Sequence, residues 1–84
     1  MIPWNINRDH IIMAIKEIDK CGVPKERYSK KYFLKFNGKL YPPKYVISLA
    51  NKYANGYELP PSMFTGGKET NDFLKMWGFD IIEI

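Results

Sequence analysis

An Asn37-Gly38 pair lies between two short β-prone runs, and it constrains the fold more than any other feature of the chain. Type I′ hairpin turns need positive φ at both central positions, which asparagine and glycine tolerate best. The sequence therefore predicts a β-hairpin with strands over residues 32–36 and 39–41. The two faces of this hairpin carry different residues: Leu34, Phe36, Lys39 and Tyr41 on one, and Phe33, Lys35 and Leu40 on the other.

A first helix is predicted before the hairpin. Asn7 is a suitable N-cap, and Gly22 lies just past the expected end. The apolar residues of its buried stripe recur at helical spacing: Ile11, Ala14, Ile15 and Ile18. Cys21 is the single cysteine, so the chain can form neither an internal disulfide nor a thiolate metal site, and we expect this residue to act as a small hydrophobe of the core.

A second helix is predicted directly after the hairpin. Pro42-Pro43 ends the strand, Pro43 suits a first helical turn, and Asn55-Gly56 supplies a left-handed stop. Its expected buried stripe is Val46, Leu49, Ala50 and Tyr53. Its expected exposed face carries Lys44, Ser48, Asn51 and Asn55, with Lys52 at the edge.

The last part of the chain predicts a third helix from Lys68 to Trp77, which Gly78 closes, and a final strand toward Ile84. The resulting order αββααβ indicates an α+β domain with three helices and a small antiparallel sheet, because helices and strands do not alternate as parallel units require. A winged-helix-like arrangement is one form of this architecture, and the sequence leaves open which helix would be the recognition helix. Since the apolar strand runs to the last residue, we expect residues 1–84 to be a single N-terminal domain cut from a longer protein.

Positive charge is concentrated in one part of the sequence. Residues 25–52, the basic block, hold eight of the thirteen basic residues and one acid, a net charge of +7, whereas the whole chain carries +4. A field confined to one hairpin and the following helix is typical of a surface that meets nucleic acid. The alternative is a solvated basic face without a partner.

The candidate DNA contacts fall into three sets. Lysines that can reach phosphates are Lys30, Lys31, Lys35, Lys39, Lys44 and Lys52. Side chains that can read or stack on bases are Ser48, Asn51, Tyr41 and Tyr45, with asparagine suited to an adenine edge. A glycine turn before the third helix, Gly66-Gly67-Lys68, can offer backbone N–H groups to a phosphate.

Residues for catalysis are scarce. His10 is the only histidine, and the nine acids are scattered, so the sequence predicts no catalytic residues, no metal site and no cofactor. Asp80 and Glu83 lie close together on the last strand without a following lysine, and we interpret them as edge-strand solvation. The chain shows no signal peptide and no apolar run of about 20 residues, which favours a cytoplasmic protein without a membrane partner.

Several short motifs resemble a small domain at the N-terminus of prokaryotic McrA-like and McrB-like modification-dependent restriction proteins. These motifs are Tyr41-Pro42-Pro43-Lys44, Phe64-Thr65-Gly66-Gly67 and Gly78-Phe79. The resemblance implies a module that finds DNA. The sequence leaves open whether this DNA is duplex and whether its bases are methylated. The resemblance also implies C-terminal motor or nuclease domains in the same chain that perform the chemistry.

The sequence thus predicts a non-catalytic DNA-binding targeting domain. A protein–protein or oligomerisation module is the alternative from another class, which the apolar strand Ile81–Ile84 would serve. RNA binding is a further alternative. The basic block favours nucleic acid, because lysine is depleted at the centre of protein interfaces.

Overall fold

A computed structural model describes all residues from Met1 to Ile84. The predicted order of elements is confirmed. Three helices and three strands follow one another as α1 Arg8–Cys21, β1 Tyr32–Phe36, β2 Lys39–Tyr41, α2 Pro43–Asn55, α3 Lys68–Met76 and β3 Asp80–Glu83. Two short 3₁₀ turns, Lys25–Arg27 and Pro61–Met63, interrupt the connections before β1 and α3.

The ends of α1 follow the predicted residues. The Asn7 side chain accepts hydrogen bonds from the N–H groups of Asp9 and His10, at 2.9 and 3.3 Å. In return His10 Nδ1 accepts from the Asn7 N–H at 3.0 Å, so the only histidine completes a capping box. Gly22 ends the helix with φ of 79°. The expectation that Cys21 belongs to the core is wrong, because this last residue of α1 faces solvent.

The hairpin has the predicted turn and register. Asn37 and Gly38 adopt φ of 51° and 76°, and Leu34 pairs with Tyr41 across the two strands. Strand β3 pairs antiparallel with the other side of β1, which gives the sheet order β2-β1-β3. Strand β1 is therefore central, and both neighbours are edge strands.

Helix α2 occupies the centre of the domain. It contacts α1, α3, β1 and the turn Pro61–Met63, so more of its circumference is buried than the predicted stripe. Tyr45, Ser48 and Asn51 are buried together with the expected apolar residues, whereas Tyr53 lies at the surface. The predicted exposed face of this helix is therefore wrong for Ser48 and Asn51. A helix enclosed in this way presents no long side to a DNA groove, and among the later helices only α3 keeps an exposed side.

The core unites both ends of the chain. Ile6, Ile11, Leu34, Leu49 and Leu74 are fully buried or nearly so. None of the helices has the length and apolar character that crossing a membrane requires.

Candidate nucleic-acid interface

The structure divides the basic block into paired and unpaired cations. Three lysines lie near a carboxylate: Lys31 at 3.5 Å from Glu83, Lys39 at 3.7 Å from Asp19 and Lys52 at 2.7 Å from Glu17. The other five have no carboxylate oxygen within 4.0 Å of their charged nitrogens, namely Lys25, Arg27, Lys30, Lys35 and Lys44.

Two acids of α1, Glu17 and Asp19, pair with two of these three lysines. Glu17 accepts hydrogen bonds from Lys52 at 2.8 Å and from the Tyr53 hydroxyl at 2.6 Å. These donors stabilise the carboxylate and lower the pKa of Glu17, and Glu17 in turn raises the pKa of Lys52. We call Glu17, Asp19, Lys39 and Lys52 the α1 seam. Its two lysines are neutralised within the domain.

Tyr41 belongs to the same side of the molecule. It is only 3% exposed, and its hydroxyl donates to Asp19 at 2.7 Å. Burial, and then the bond to Asp19, raise the pKa of Tyr41 to about 12. The predicted role of Tyr41 as a stacking platform for bases is therefore wrong for this conformation, because its ring lies in the core.

A cleft of about 380 Å³ opens beside two of these unpaired cations, Arg27 and Lys44. Its walls come from four segments that are distant in sequence: Glu26–Ser29, the Pro42-Pro43-Lys44 start of α2, the Gly66-Gly67 turn, and the first turn of α3. Tyr32 and Pro61 complete the lining. The structure thus brings the predicted Lys44 and Gly66-Gly67 into one site.

Arg27 is held at one wall of the cleft. One guanidinium nitrogen donates to Ser48 Oγ at 2.7 Å, and the group lies 4.9 Å from the centre of the Tyr45 ring. Ser48 is fully buried and donates in turn to the Leu59 carbonyl at 2.7 Å. Ser48 and Tyr45 therefore position an arginine rather than facing solvent, which corrects the predicted direct contacts of both residues with bases.

Asn51 has a similar structural role. It is fully buried, donates to the Tyr57 carbonyl at 2.9 Å and accepts from the Asn55 amide at 2.7 Å. These bonds fix the loop that follows α2 onto the helix. The predicted pairing of Asn51 with an adenine edge is excluded in this conformation, because the amide is enclosed and already paired.

Lys44 and the glycine turn form the opposite wall. Lys44 is half-buried, with its Nζ 5.0 Å from the centre of the Phe64 ring. Gly67 is the N-cap of α3 and has φ of 64°, a value that favours glycine. It offers no capping side chain, and the N–H groups of Gly66, Gly67 and Lys68 donate to no protein acceptor. These N–H groups stand at the positive end of the helix dipole.

Asn71 is one of the residues of the cleft that the sequence did not indicate. It lines the cleft, is 6% exposed, and its Oδ1 is buried without a hydrogen-bond partner. The only available signal was its position four residues after the N-cap glycine, on the same side of the helix. That spacing does not distinguish a site residue from an ordinary helix residue.

Comparison with known families adds an identity to this geometry. Residues 4–83 match the family model of the ScoMcrA-like N-terminal head domain. The chain belongs to this family. The predicted resemblance to McrA-like proteins is confirmed, whereas the resemblance to McrB-like proteins remains a prediction.

One solved structure is similar to this head domain over 95% of its length. It is that of the Type IV phosphorothioation-dependent restriction endonuclease ScoMcrA, with 28% sequence identity and a TM-score of 0.65. The head domain spans 13% of that chain. A comparison with curated protein sequences finds no match.

The remaining predicted residues of the head domain lie outside the cleft. Lys68 is exposed and bonds to Asp72 at 2.7 Å, and Lys35 lies on the outer face of the sheet opposite Asp80. Lys30 is exposed and close in sequence to the cleft wall at Ser29. No group of three or more His, Cys, Asp or Glu residues is arranged to hold a metal ion.

Proposed function

We propose that this head domain binds DNA and serves as a targeting module of a restriction endonuclease, without cleaving DNA itself. Its face for DNA is the side of the molecule that contains the cleft. The observation that carries this proposal is the segregation of charge: Arg27 and Lys44 line the cleft, Lys25 and Lys30 flank it in sequence, and all four lack a carboxylate partner.

The free energy that a lysine gains on binding a phosphate depends on whether the lysine already has a carboxylate partner in the protein. A lysine that is already paired must break that pair, whereas an unpaired lysine exchanges only solvent and releases counterions from the DNA. Lys39 and Lys52 of the α1 seam therefore contribute little, although they belong to the same basic block. The unpaired cations of the cleft side supply the affinity.

The family supports this role at a coarser level. In this proposal, other domains of the parent chain cleave the DNA. The parent protein acts in the cytoplasm. The head domain contributes affinity for the duplex. Recognition of a methylated base or of a modified linkage is a further part of this proposal. Binding of modified and unmodified duplexes has to be compared directly to test it.

Fluorescence anisotropy with a labelled duplex tests the proposal. The logarithm of the binding constant should fall linearly with the logarithm of the salt concentration, with a slope of about −0.9 per phosphate contacted. A triple variant, Lys25→Gln with Lys30→Gln and Lys44→Gln, should lose about two orders of magnitude or more in affinity at about 0.1 M salt, because three such contacts are removed.

The matched control removes the same charge elsewhere. Lys16→Gln, Lys20→Gln and Lys75→Gln replace exposed lysines that lie on α1 and α3 outside the cleft, and this variant should bind within a few-fold of the wild type. Equal losses in the two variants would show that net charge, rather than the cleft side, governs binding. Affinity that does not depend on salt would exclude the proposal.

The same assay separates the finer alternatives. Duplexes with methylated bases or phosphorothioate linkages that bind more tightly would assign modification reading to the head domain, and equal affinity would assign it to the rest of the parent chain. Tighter binding of a matched RNA duplex would favour the RNA alternative. Incubation with plasmid DNA and magnesium or manganese should produce no nicking.

The oligomerisation alternative retains one structural observation. Strand β3 is an edge strand, and Ile84 after it is 74% exposed. Unpaired strand edges can add a strand from another chain. Sedimentation equilibrium at increasing concentration tests this alternative, since an oligomerisation module should associate in the absence of DNA.

A further inference from the structure

The Asn71 side chain indicates that the cleft is built for a ligand with hydrogen-bond donors. Its Oδ1 is buried without a partner, and Asn71 is one of the residues that line the open cleft. An unpaired buried acceptor destabilises a protein, and such a group in a native fold calls for a physical reason. A ligand that donates to this amide supplies that reason.

The glycine turn indicates that the same cleft also accepts an anion. The N–H groups of Gly66 and Gly67 make no hydrogen bond within the protein and lie at the N-terminus of α3, a helix of nine residues. Lys44 lies beside them, since a Cβ built on Gly66 would be 3.8 Å from Lys44 Cδ. Backbone N–H groups, a helix dipole and a lysine together favour phosphate.

A phosphate alone does not satisfy both features. Its oxygens are acceptors, and neither the Asn71 Oδ1 nor the Glu26 carboxylate, which also lines the cleft, can donate to them. The amino and imino groups of nucleobases are donors, and amide and carboxylate side chains read them. A nucleotide carries both halves of this chemistry in one molecule.

The remaining walls suit the flat surface of a base. Tyr28 is 63% exposed, and Tyr32 stands at the same cleft with Pro42, Pro43 and Pro61. Aromatic rings that reach solvent are platforms on which bases stack. The volume of about 380 Å³ is at the small end of the range for ligand pockets, which limits the occupant to a single unit.

From these observations we infer that the cleft receives one unpaired nucleotide of a DNA strand. Its phosphate binds Gly66, Gly67 and Lys44, and its base lies against Tyr28 and donates to Asn71. A base inside a duplex is stacked and paired, so it reaches the cleft only when it is extruded or already unpaired. This inference rests on the proposed function and specifies what the cleft side does with the DNA that it binds.

The test compares duplexes that are identical except for one nucleotide. Anisotropy titrations of the 84-residue chain use a fully paired duplex and the same duplex with a single-nucleotide bulge. The bulged duplex should bind at least about fivefold more tightly, since base stacking on an aromatic side chain is worth that factor or more. The bulged nucleotide avoids the cost of unpairing a base.

Two variants locate the preference in the cleft. Tyr28→Ala removes the exposed stacking platform. Asn71→Ala removes the side chain whose Oδ1 is buried without a partner, so it breaks no hydrogen bond of that oxygen within the protein. Both should bind the bulged and paired duplexes equally. Tyr57→Ala, at a tyrosine that is 54% exposed outside the cleft, is the matched control and should retain the preference.

The outcomes separate this inference from the proposed function. Lysine-dependent binding of both duplexes with equal affinity overturns the nucleotide cleft and leaves DNA binding intact. A preference that survives in both Tyr28→Ala and Asn71→Ala also overturns it, because the unpaired nucleotide then lies elsewhere. Failure to bind any DNA excludes both proposals.

Discussion

The lysines near the two ends of helix α2 differ in whether a carboxylate of the protein binds them. Near its start, Lys44 stands at the cleft without a carboxylate partner, and Arg27 nearby is oriented by Ser48. Near its end, Lys52 is bound by Glu17 in the α1 seam. One basic block in the sequence therefore contains cations without a carboxylate partner and lysines that α1 already neutralises.

This difference shows that the charge of a segment does not locate a binding face. The acids that neutralise Lys39 and Lys52 belong to α1, which precedes the basic block in the sequence. Only after α1 packs against α2 and the hairpin are these charges compensated. Glu26 also lines the cleft, but no carboxylate oxygen lies within 4.0 Å of the charged nitrogens of Arg27 and Lys44, and this is the face that we propose for DNA.

The largest expected effect concerns Asn51, which lies in α2 between Lys44 and Lys52. Asn51→Ala should lower the free energy of unfolding by about 2 to 3 kcal/mol, since it removes a fully buried amide that bonds to the Tyr57 carbonyl and to Asn55, and it opens a cavity. DNA affinity, measured on folded protein, should not change. Urea unfolding measures the first quantity. Asn5→Ala is the control with a small effect, because the side chain of Asn5 is exposed and its hydrogen bonds to Asn55 are open to solvent. If the Asn51→Ala variant were as stable as the wild type but bound DNA more weakly, Asn51 would contact DNA rather than stabilise the fold.

The next effect is a pH dependence on the seam side. Tyr41 has a folded pKa of about 12 against about 10 when unfolded, so the folded state keeps this proton longer. Its linked stability is complete below about pH 10 and falls by about 2 to 3 kcal/mol as the pH rises toward 12. Tyr41→Phe should cost about 1 kcal/mol at neutral pH through loss of the bond to Asp19, yet lack this alkaline loss.

Urea unfolding curves from pH 7 to 12 check this prediction. The stabilities of wild type and Tyr41→Phe should converge and then cross as the pH rises. Tyr57→Phe, at an exposed tyrosine, should follow the wild type throughout. Parallel curves for Tyr41→Phe and wild type would show that the Tyr41 hydroxyl is not held in the folded state as described.

A smaller effect compares the two lysines of α2 directly. Lys44→Gln should weaken DNA binding about eightfold at about 0.1 M salt and reduce the salt slope by about 0.9, as expected for one lost phosphate contact. Lys52→Gln should leave affinity within about twofold, because Glu17 already occupies that ammonium. Equal effects of the two changes would remove the distinction between cleft and seam.

The smallest effect tests the seam itself. Glu17→Gln should lower stability by about 1 kcal/mol or less, the usual range for ion pairs near the surface. Since the folded pKa of Glu17 is lowered, its contribution is present above its ordinary pKa and disappears as the pH falls through the lower folded value. The difference between the two proteins should therefore vanish in acid. A difference that persists below the folded pKa of Glu17 would assign the effect to packing.

The sequence by itself determined the elements and their order. Asn7, Gly22, Asn37-Gly38, Pro43 and Gly56 act through local backbone preferences, so the caps and the turn were predicted correctly. It also indicated the Lys44 and Gly66-Gly67 motifs and the family. These signals lie within a few residues of the structure that they specify.

Only the tertiary structure decided what each polar residue of α2 does. Ser48 and Asn51 look like an exposed face because helical periodicity separates apolar from polar residues, yet the chain that follows α2 covers this face and supplies the Leu59 and Tyr57 carbonyls as partners. The pairing of Lys52 with Glu17 and the joining of Arg27 to Asn71 in one cleft likewise link distant segments. Local propensity does not encode such contacts, since they form only when separate elements pack together.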